Sequence, residues 1–278
     1  MFQGRNLVIA TKHKKEKVIA PILELELGVK CFLPESFDTD SLGTFTGEVD
    51  RKKDPIATVR EKCLKAMELS NCDLGVASEG SFGPHPSIYF ANADDEFLIL
   101  IDKANDLEII VREISLETNF NGGEINNEHE LLEFAKLTKF PTHGLILRKS
   151  KNDIKGIVKG LKNEEELKTA FHKTFKECGS TYIETDMRAM HNPSRMKVIK
   201  QAAIKLVKKI NSLCPQCETP GFAVTDAKKG LKCNLCGLPT NSILSYIYTC
   251  NKCKFITEEM YPNEKTKEEP MYCDYCNP

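Results

Sequence analysis

The sequence predicts a mixed α/β domain followed by a small tail that folds around metal. Three observations lead there. Short apolar runs alternate with helical-period segments up to about residue 212. Two of those runs, EFLILID (residues 96–102) and LEIIVREI (residues 107–114), are separated only by KAND, which makes them an antiparallel hairpin inside an otherwise alternating pattern. Eight of the 12 cysteines lie beyond residue 212, as four CxxC pairs. The domain division read from this is 1–212 and 213–278.

In order, NLVIA (6–10) reads as a buried strand, and a helix follows over 14–27 with Pro21 as an irregularity. VKCFLP (29–34) is a second strand, and the polar stretch 35–53, with Gly43 and Gly47, is a long loop. Asp54 followed by Pro55 is a helix start, continued by Ile56, Val59, Cys63, Ala66 and Met67 at helical spacing. DLGVAS (73–78) is a third buried strand, opening into a loop, EGSFGPHP (79–86). After the hairpin come a helix at 128–137, short strands at 145–148 and 154–159, an amphipathic helix at 163–178, a strand TYIET (181–185) and a Lys-rich helix at 193–213.

The net charge of −1 hides an asymmetry. Residues 1–140 hold 16 basic and 25 acidic groups, whereas residues 141–212 hold 16 and 7. Such a chain can set metal ligands opposite phosphate-binding groups. With 7 basic and 8 acidic residues the tail is not basic, which argues against its gripping a phosphate backbone. No run approaches the ~18 apolar residues of a membrane span, and MFQGRN has no basic-then-apolar leader, so the expected location is the cytoplasm.

The four pairs are Cys214/Cys217, Cys233/Cys236, Cys250/Cys253 and Cys273/Cys276, with 15, 13 and 19 residues between them. Each CxxC turns the chain so that two thiolates converge, and two such turns supply the tetrahedral sulfur set zinc prefers. A disulfide framework needs an oxidising compartment, and a redox CxxC is usually single. Two structural zinc ions are therefore expected. Sequential pairing, Cys214 to Cys236 and Cys250 to Cys276, gives two tandem ribbons and is preferred over an interleaved arrangement because each half then has its own hairpin-like insert. Gly237, after Cys236, suits a turn that needs positive φ.

Three further segments carry chemistry-bearing residues after predicted strands, where α/β proteins place ligands. Thr11, Lys12, His13, Lys14, Lys15 and Lys17 sit at a strand-to-helix junction and suit a phosphate chain. Glu79 ends a buried strand, with Gly80, Ser81, Gly83 and His85 behind it, and its carboxylate suits Mg²⁺. Glu184, Asp186, Arg188, His191, Asn192, Ser194 and Arg195 crowd between a strand and a helix that Asn192 and Pro193 start. Glu79 and the lysines are expected to flank one pocket.

The order strand–T-K-H-x-x-x-K–helix (Thr11 to Lys17), then IATVREKCLKAM (56–67), then LGVASEGSFG (74–83), resembles the inosine/xanthosine triphosphate pyrophosphatases, the ITPase-like superfamily. Arg60, Lys62, Cys63 and Ala66 fall on that family's helix pattern, Glu79-Gly80 on its acidic-Gly position, and Ser194-Arg195 loosely echoes its Ser-His-Arg. His13 stands where the family has Asn, Lys17 is one step beyond the family's Lys, and Glu-Gly-Ser replaces its acidic run. The whole chain also resembles an uncharacterised bacterial family with such a tail. The resemblance implies an ITPase-like mixed-sheet domain that hydrolyses a nucleoside triphosphate to monophosphate and pyrophosphate with Mg²⁺. Glu79, Lys17 and Glu48 would be catalytic. Thr11, Lys12, His13, Lys14, Lys15, Arg60, Lys62, Ser81, His85, Arg188, His191, Ser194 and Arg195 would bind substrate. The rival reading is a non-enzymatic nucleotide sensor whose ribbons bind protein or nucleic acid.

Overall fold

The computed structural model describes residues 1–35 and 54–278, so Glu48 and most of the expected long loop lie outside the described residues. The chain is mixed α/β and divides into two compact units, Met1–Val207 and Lys208–Pro278. Among the described residues no helix is long and apolar enough to cross a membrane.

The first unit carries two sheets. In the larger, β1 (Asn6–Ala10) lies between β2 (Lys30–Phe32) and β3 (Leu74–Pro84), parallel to both. Antiparallel β4 (Asn92–Asp102) and β5 (Leu107–Ser115) complete the order β2-β1-β3-β4-β5, with the expected hairpin as its far edge. The second sheet is antiparallel throughout, in the order β6 (Gly122–Ile125), β9 (Thr181–Thr185), β7 (Leu145–Arg148), β8 (Val158–Leu161). Strand β6 was not legible in the sequence, and β8 begins later than expected.

Helix α1 (Glu16–Leu27) runs through Pro21 and ends at Gly28 in the left-handed region. Helix α2 (Pro55–Leu69) starts as its sequence dictates, with the Asp54 carboxylate accepting the amides of Ile56 and Ala57 at 2.9 and 3.0 Å. Helices α3 (Glu128–Leu137) and α4 (Glu164–Cys178) begin at Asn127 and Asn163 in the same manner, and α5 spans Pro193–Asn211. Side chains alternate across a strand, so each face of a sheet can be read from its register. One face of the larger sheet packs Val8, Ala10, Ala77, Phe97, Ile99 and Ile101 against Val59, Cys63, Ala66 and Met67 of α2. The second sheet buries Leu145, Leu147 and Ile183 with Leu131 of α3 and Leu167 and Phe171 of α4.

The expected loop at 79–86 is instead strand as far as Pro84, because Glu79 to Pro84 continue in register with Phe97 to Asn92. Its polar, glycine-containing sequence favours a turn, and the ladder to β4 overrides that preference. In the second unit a three-stranded antiparallel sheet, β10 (Ala223–Lys229), β11 (Ile243–Thr249) and β12 (Ile256–Met260), joins the four CxxC turns.

Candidate functional site

Beyond the end of β1 the larger sheet holds six ionisable groups away from water: Lys15, Lys62, Glu79, Asp94, Glu96 and Arg195. They divide between its two faces. Glu79 shares the face of Ala77 and meets α2, where Lys62 donates to its carboxylate. Ser78 and Gly80 point the other way, as do Asp94 and Glu96 of β4. There the Lys15 ammonium donates to the Ser78 hydroxyl at 3.1 Å and lies 3.7 Å from Glu96 Oε2. Arg195, from the first turn of α5, places Nε 2.6 Å from Glu96 Oε1, donates to the Met187 carbonyl and stacks its guanidinium 5.0 Å over the Phe82 ring. Gly80 makes this approach possible: a Cβ there would stand 2.4 Å from Glu96 Oε1 and 2.6 Å from an Arg195 nitrogen.

Desolvation dominates the electrostatics. Burial lowers Lys15 to about 8 against the pull of Glu96. Burial, and then the neighbouring Glu96, raises Asp94 to about 8. Burial acts on Glu96 too, but Arg195 and Lys15 overturn it and hold this carboxyl below its ordinary value. Asp94 Oδ1 and Glu96 Oε2 are buried without a hydrogen-bond partner. The loop feeding this cluster is costly in itself, since His13 and Lys14 both adopt left-handed backbone, at φ 63° and 64°.

The expectation that Glu79 and the lysines flank one pocket is therefore corrected. Glu79 is mid-strand, buried and paired with Lys62, and the β3 backbone separates it from the Lys15 side; of these lysines only Lys15 turns inward, while Lys12, Lys14 and Lys17 are exposed. The fields of Glu79 and Lys62 still reach Lys15. Arg60 is drawn to Glu108 at 2.8 Å on the exposed side of α2. Ser81 pairs with Asp95 in the ladder. His85 accepts the amides of Ser87 and Ile88, which explains it as a turn residue. Arg188 is held by both oxygens of Asp186. His191 lies beside Gly160 and has a buried Nδ1 with no hydrogen-bond partner. Burial lowers its pKa, and Lys14 is among the cations adding to this. Ser194 binds His143, a residue the sequence reading passed over. Arg195 is fully buried rather than presented to a ligand. Asp94 and Glu96 were missed too. Acidic residues at alternating positions of a strand whose partner carries Ser and Gly were the available signal.

In the tail the cysteines gather as Cys214, Cys217, Cys250 and Cys253, and as Cys233, Cys236, Cys273 and Cys276. This interleaved pairing overturns the sequential one. The two inserts expected to fold separately supply β10 and β12, the outer strands of one sheet whose middle strand, β11, lies between them in the chain, so the sheet ties alternate turns together. Facing sulfurs are 3.7 and 3.6 Å apart in the first set and 3.9 and 3.6 Å in the second. A tetrahedron with Zn–S of about 2.3 Å has an edge of about 3.8 Å, whereas a disulfide needs about 2.05 Å. Both sets thus have the dimensions of a closed four-sulfur zinc site, and all 12 cysteines are free thiols. The turns repeat one pattern, with Glu218, Gly237, Lys254 and Asn277 each donating an amide to the carbonyl of the first cysteine at 2.8 to 3.0 Å. Gly237 has φ 74°, and Glu218 and Lys254 take the same conformation at φ 57° and 60°. The Thr219 hydroxyl brings the Cys217 thiol down to about 6, and backbone amides bring Cys233 to about 7, whereas the neighbouring cysteines push Cys253 and Cys276 up to about 12.

The family model described as Domain of unknown function (DUF6671) matches residues 62–278. The chain belongs to this family. The search of curated proteins returned no match. The DUF6671 span includes both cysteine sets and Lys62, Glu79, Asp94, Glu96 and Arg195, while Lys15 and its loop precede it.

Proposed function

We propose that the α/β unit is a nucleotide phosphohydrolase, converting a nucleoside triphosphate to monophosphate and pyrophosphate, with zinc in the tail serving a structural role. The observation that carries this reading is the buried cluster of Lys15, Asp94, Glu96 and Arg195 beside the strained β1–α1 loop. Buried ion pairs are a poor investment for stability alone, and perturbed titratable groups concentrate at functional sites. The resemblance of the segments from Thr11 to Gly83 to the ITPase-like superfamily supports it further.

Exposed Lys12, Lys14 and Lys17 attract the polyphosphate, and buried Lys15 and Arg195 add a positive field behind them. Glu79, paired with Lys62 across the β3 backbone, acts on Lys15 only through its field. For Mg²⁺, Glu79 fits poorly because Lys62 already occupies it, and Glu96 because Arg195 and Lys15 flank it, so of these carboxylates Asp94 would hold the ion. Bound there, Mg²⁺ would offset negative charge on the phosphates. Placing it with Asp94 requires that group to give up the proton it keeps up to about pH 8.

The test is pyrophosphate release from a panel of natural and deaminated nucleoside triphosphates with Mg²⁺, beside Asp94→Asn. Release by wild type that this variant reduces at least a hundredfold supports the enzyme. No release across the panel rejects it. A second reading, a nucleotide-sensing adaptor, draws on one observation: the turns of the second cysteine set expose Leu235 and Tyr275, each 74 %, with Met271 and Tyr272 beside them. Nucleotide binding by calorimetry without turnover would favour it.

A further inference from the structure

Ser194 adjoins Arg195 in the chain but bonds to His143, and the hydrogen bonds of this pair define one protonation pattern. The Thr142 hydroxyl donates to the Lys139 carbonyl at 2.6 Å, so its oxygen must accept from His143 Nδ1, 3.0 Å away. Nδ1 therefore carries the proton and Nε2 is the bare nitrogen. The Ser194 amide confirms this by donating to Nε2 at 3.3 Å. The Ser194 hydroxyl, 2.9 Å from the same nitrogen, must then point its hydrogen at it. Hydroxyl, imidazole and an orienting third group form the chain that activates a nucleophile.

The surroundings keep the imidazole neutral. His143 is buried, which lowers its pKa first, and Lys139, Lys162 and Lys197 lower it further. These cations come from the segment after α3, the segment before α4 and α5 itself, and a hydrogen bond to the Lys139 backbone partly offsets them. Ser194 retains partial exposure. Helix initiation does not need this hydroxyl, because Asn192 already accepts the Arg195 amide at 3.0 Å and Pro193 has no amide hydrogen.

We propose that Ser194 and His143 are a nucleophile–base pair acting on an ester whose acyl part carries negative charge. The Ser194 oxygen bonds to the carbonyl carbon as its proton passes to His143 Nε2. The ester C–O bond then breaks, and the alcohol leaves with that proton. Water, deprotonated by the same nitrogen, releases the acid and restores the serine. A protonated Nε2 would confront the Ser194 amide hydrogen, so the imidazole is set to pass its proton on rather than keep it. The field of the three lysines, which reaches this ring, favours an anionic acyl group.

The test uses the full zinc-loaded chain and a fluorophosphonate probe, in which the serine oxygen displaces fluoride from phosphorus, with the adduct located by peptide mass spectrometry. The expected result is a single adduct on Ser194, absent in Ser194→Ala and formed at least tenfold more slowly in His143→Gln, both with wild-type circular dichroism. Should His143→Gln fail to fold, the wild-type labelling rate against pH decides: it should rise through an ionisation below the ordinary imidazole value of 6.5. No adduct on Ser194 in folded protein, an unchanged rate in folded His143→Gln or a flat pH profile overturns the proposal and leaves His143 as a cap on α5. No nucleotide enters this measurement, so its outcome is independent of the hydrolase reading.

Discussion

In Met1–Val207, Leu98, Ile99 and Leu100 of β4, Leu131 of α3 and Leu145 of β7 are wholly buried, and the sheets pack onto helices. In Lys208–Pro278 the buried hydrophobic side chains besides cysteine are Ile210, Phe222 and Leu231, and β10 and β12 are largely exposed. The first unit can afford to bury six ionisable groups because its apolar core supports them. The second has no such reserve, and its order rests on the cysteines. A chain can spend packing on chemistry only where packing is in surplus.

The sharpest way to break this comparison is to remove the metal. Structural zinc contributes about 10–16 kcal/mol in small domains, so chelation should unfold the tail while the α/β unit keeps its circular dichroism and protease resistance. Cys233→Ser should do the same and reduce zinc from two ions to well below one, since each set is tied to the other through the β10–β12 sheet. Retention of one tightly held ion in Cys233→Ser would mean that the sets fold separately.

Next in size is the buried pairing. Arg195→Met strands Glu96 in the core and should cost about 3–5 kcal/mol by denaturant unfolding of the α/β unit. A loss under about 1 kcal/mol would show that water reaches Glu96. Asp94 sharpens the point through pH. Its folded pKa of about 8 lies above the ordinary 3.8, so the folded state keeps a proton that the unfolded chain gives up. Its contribution is fully present below pH 3.8 and declines as pH rises toward 8, by at most about 1.4 kcal/mol per unit. Lys15 works in the opposite sense at higher pH: lowered from 10.5 to about 8, it disfavours folding below pH 8 and relents above it. Asp94→Asn should therefore gain on wild type between pH 5 and 7, and parallel stability curves over that range would refute the assignment.

The smallest effect concerns the tail's turns. Glu218→Gly and Lys254→Gly should each stabilise the zinc-bound tail by up to about 1 kcal/mol, because left-handed backbone costs an L-residue what glycine does not spend. Zinc competition titrations would read it.

The comparison also explains what the sequence could disclose. Helix starts were legible because Asp54, Asn127, Asn163 and Asn192 cap by local hydrogen bonds. The cysteine turns were legible because two residues of spacing define them. Which turns share an ion was not, since that depends on a sheet among inserts with little apolar pattern. Glu79 was misplaced because Gly80 and Gly83 looked like a turn when their neighbours decide otherwise. Asp94 and Glu96 are marked in the sequence only by their alternation on a strand, and it is burial that sets them apart from the exposed acids around them. The Ser194–His143 pair, 51 residues apart, exists only once β7 and α5 are brought together.

Both metal sites draw two sulfurs from residues 214–236 and two from residues 250–276. A cut between Cys236 and Cys250, for example near Asn241, would leave every ligand set divided between two fragments. Such fragments, made separately, should find each other when zinc is added and part when it is withdrawn, so this tail is a natural place to split the protein into halves that reassemble on demand.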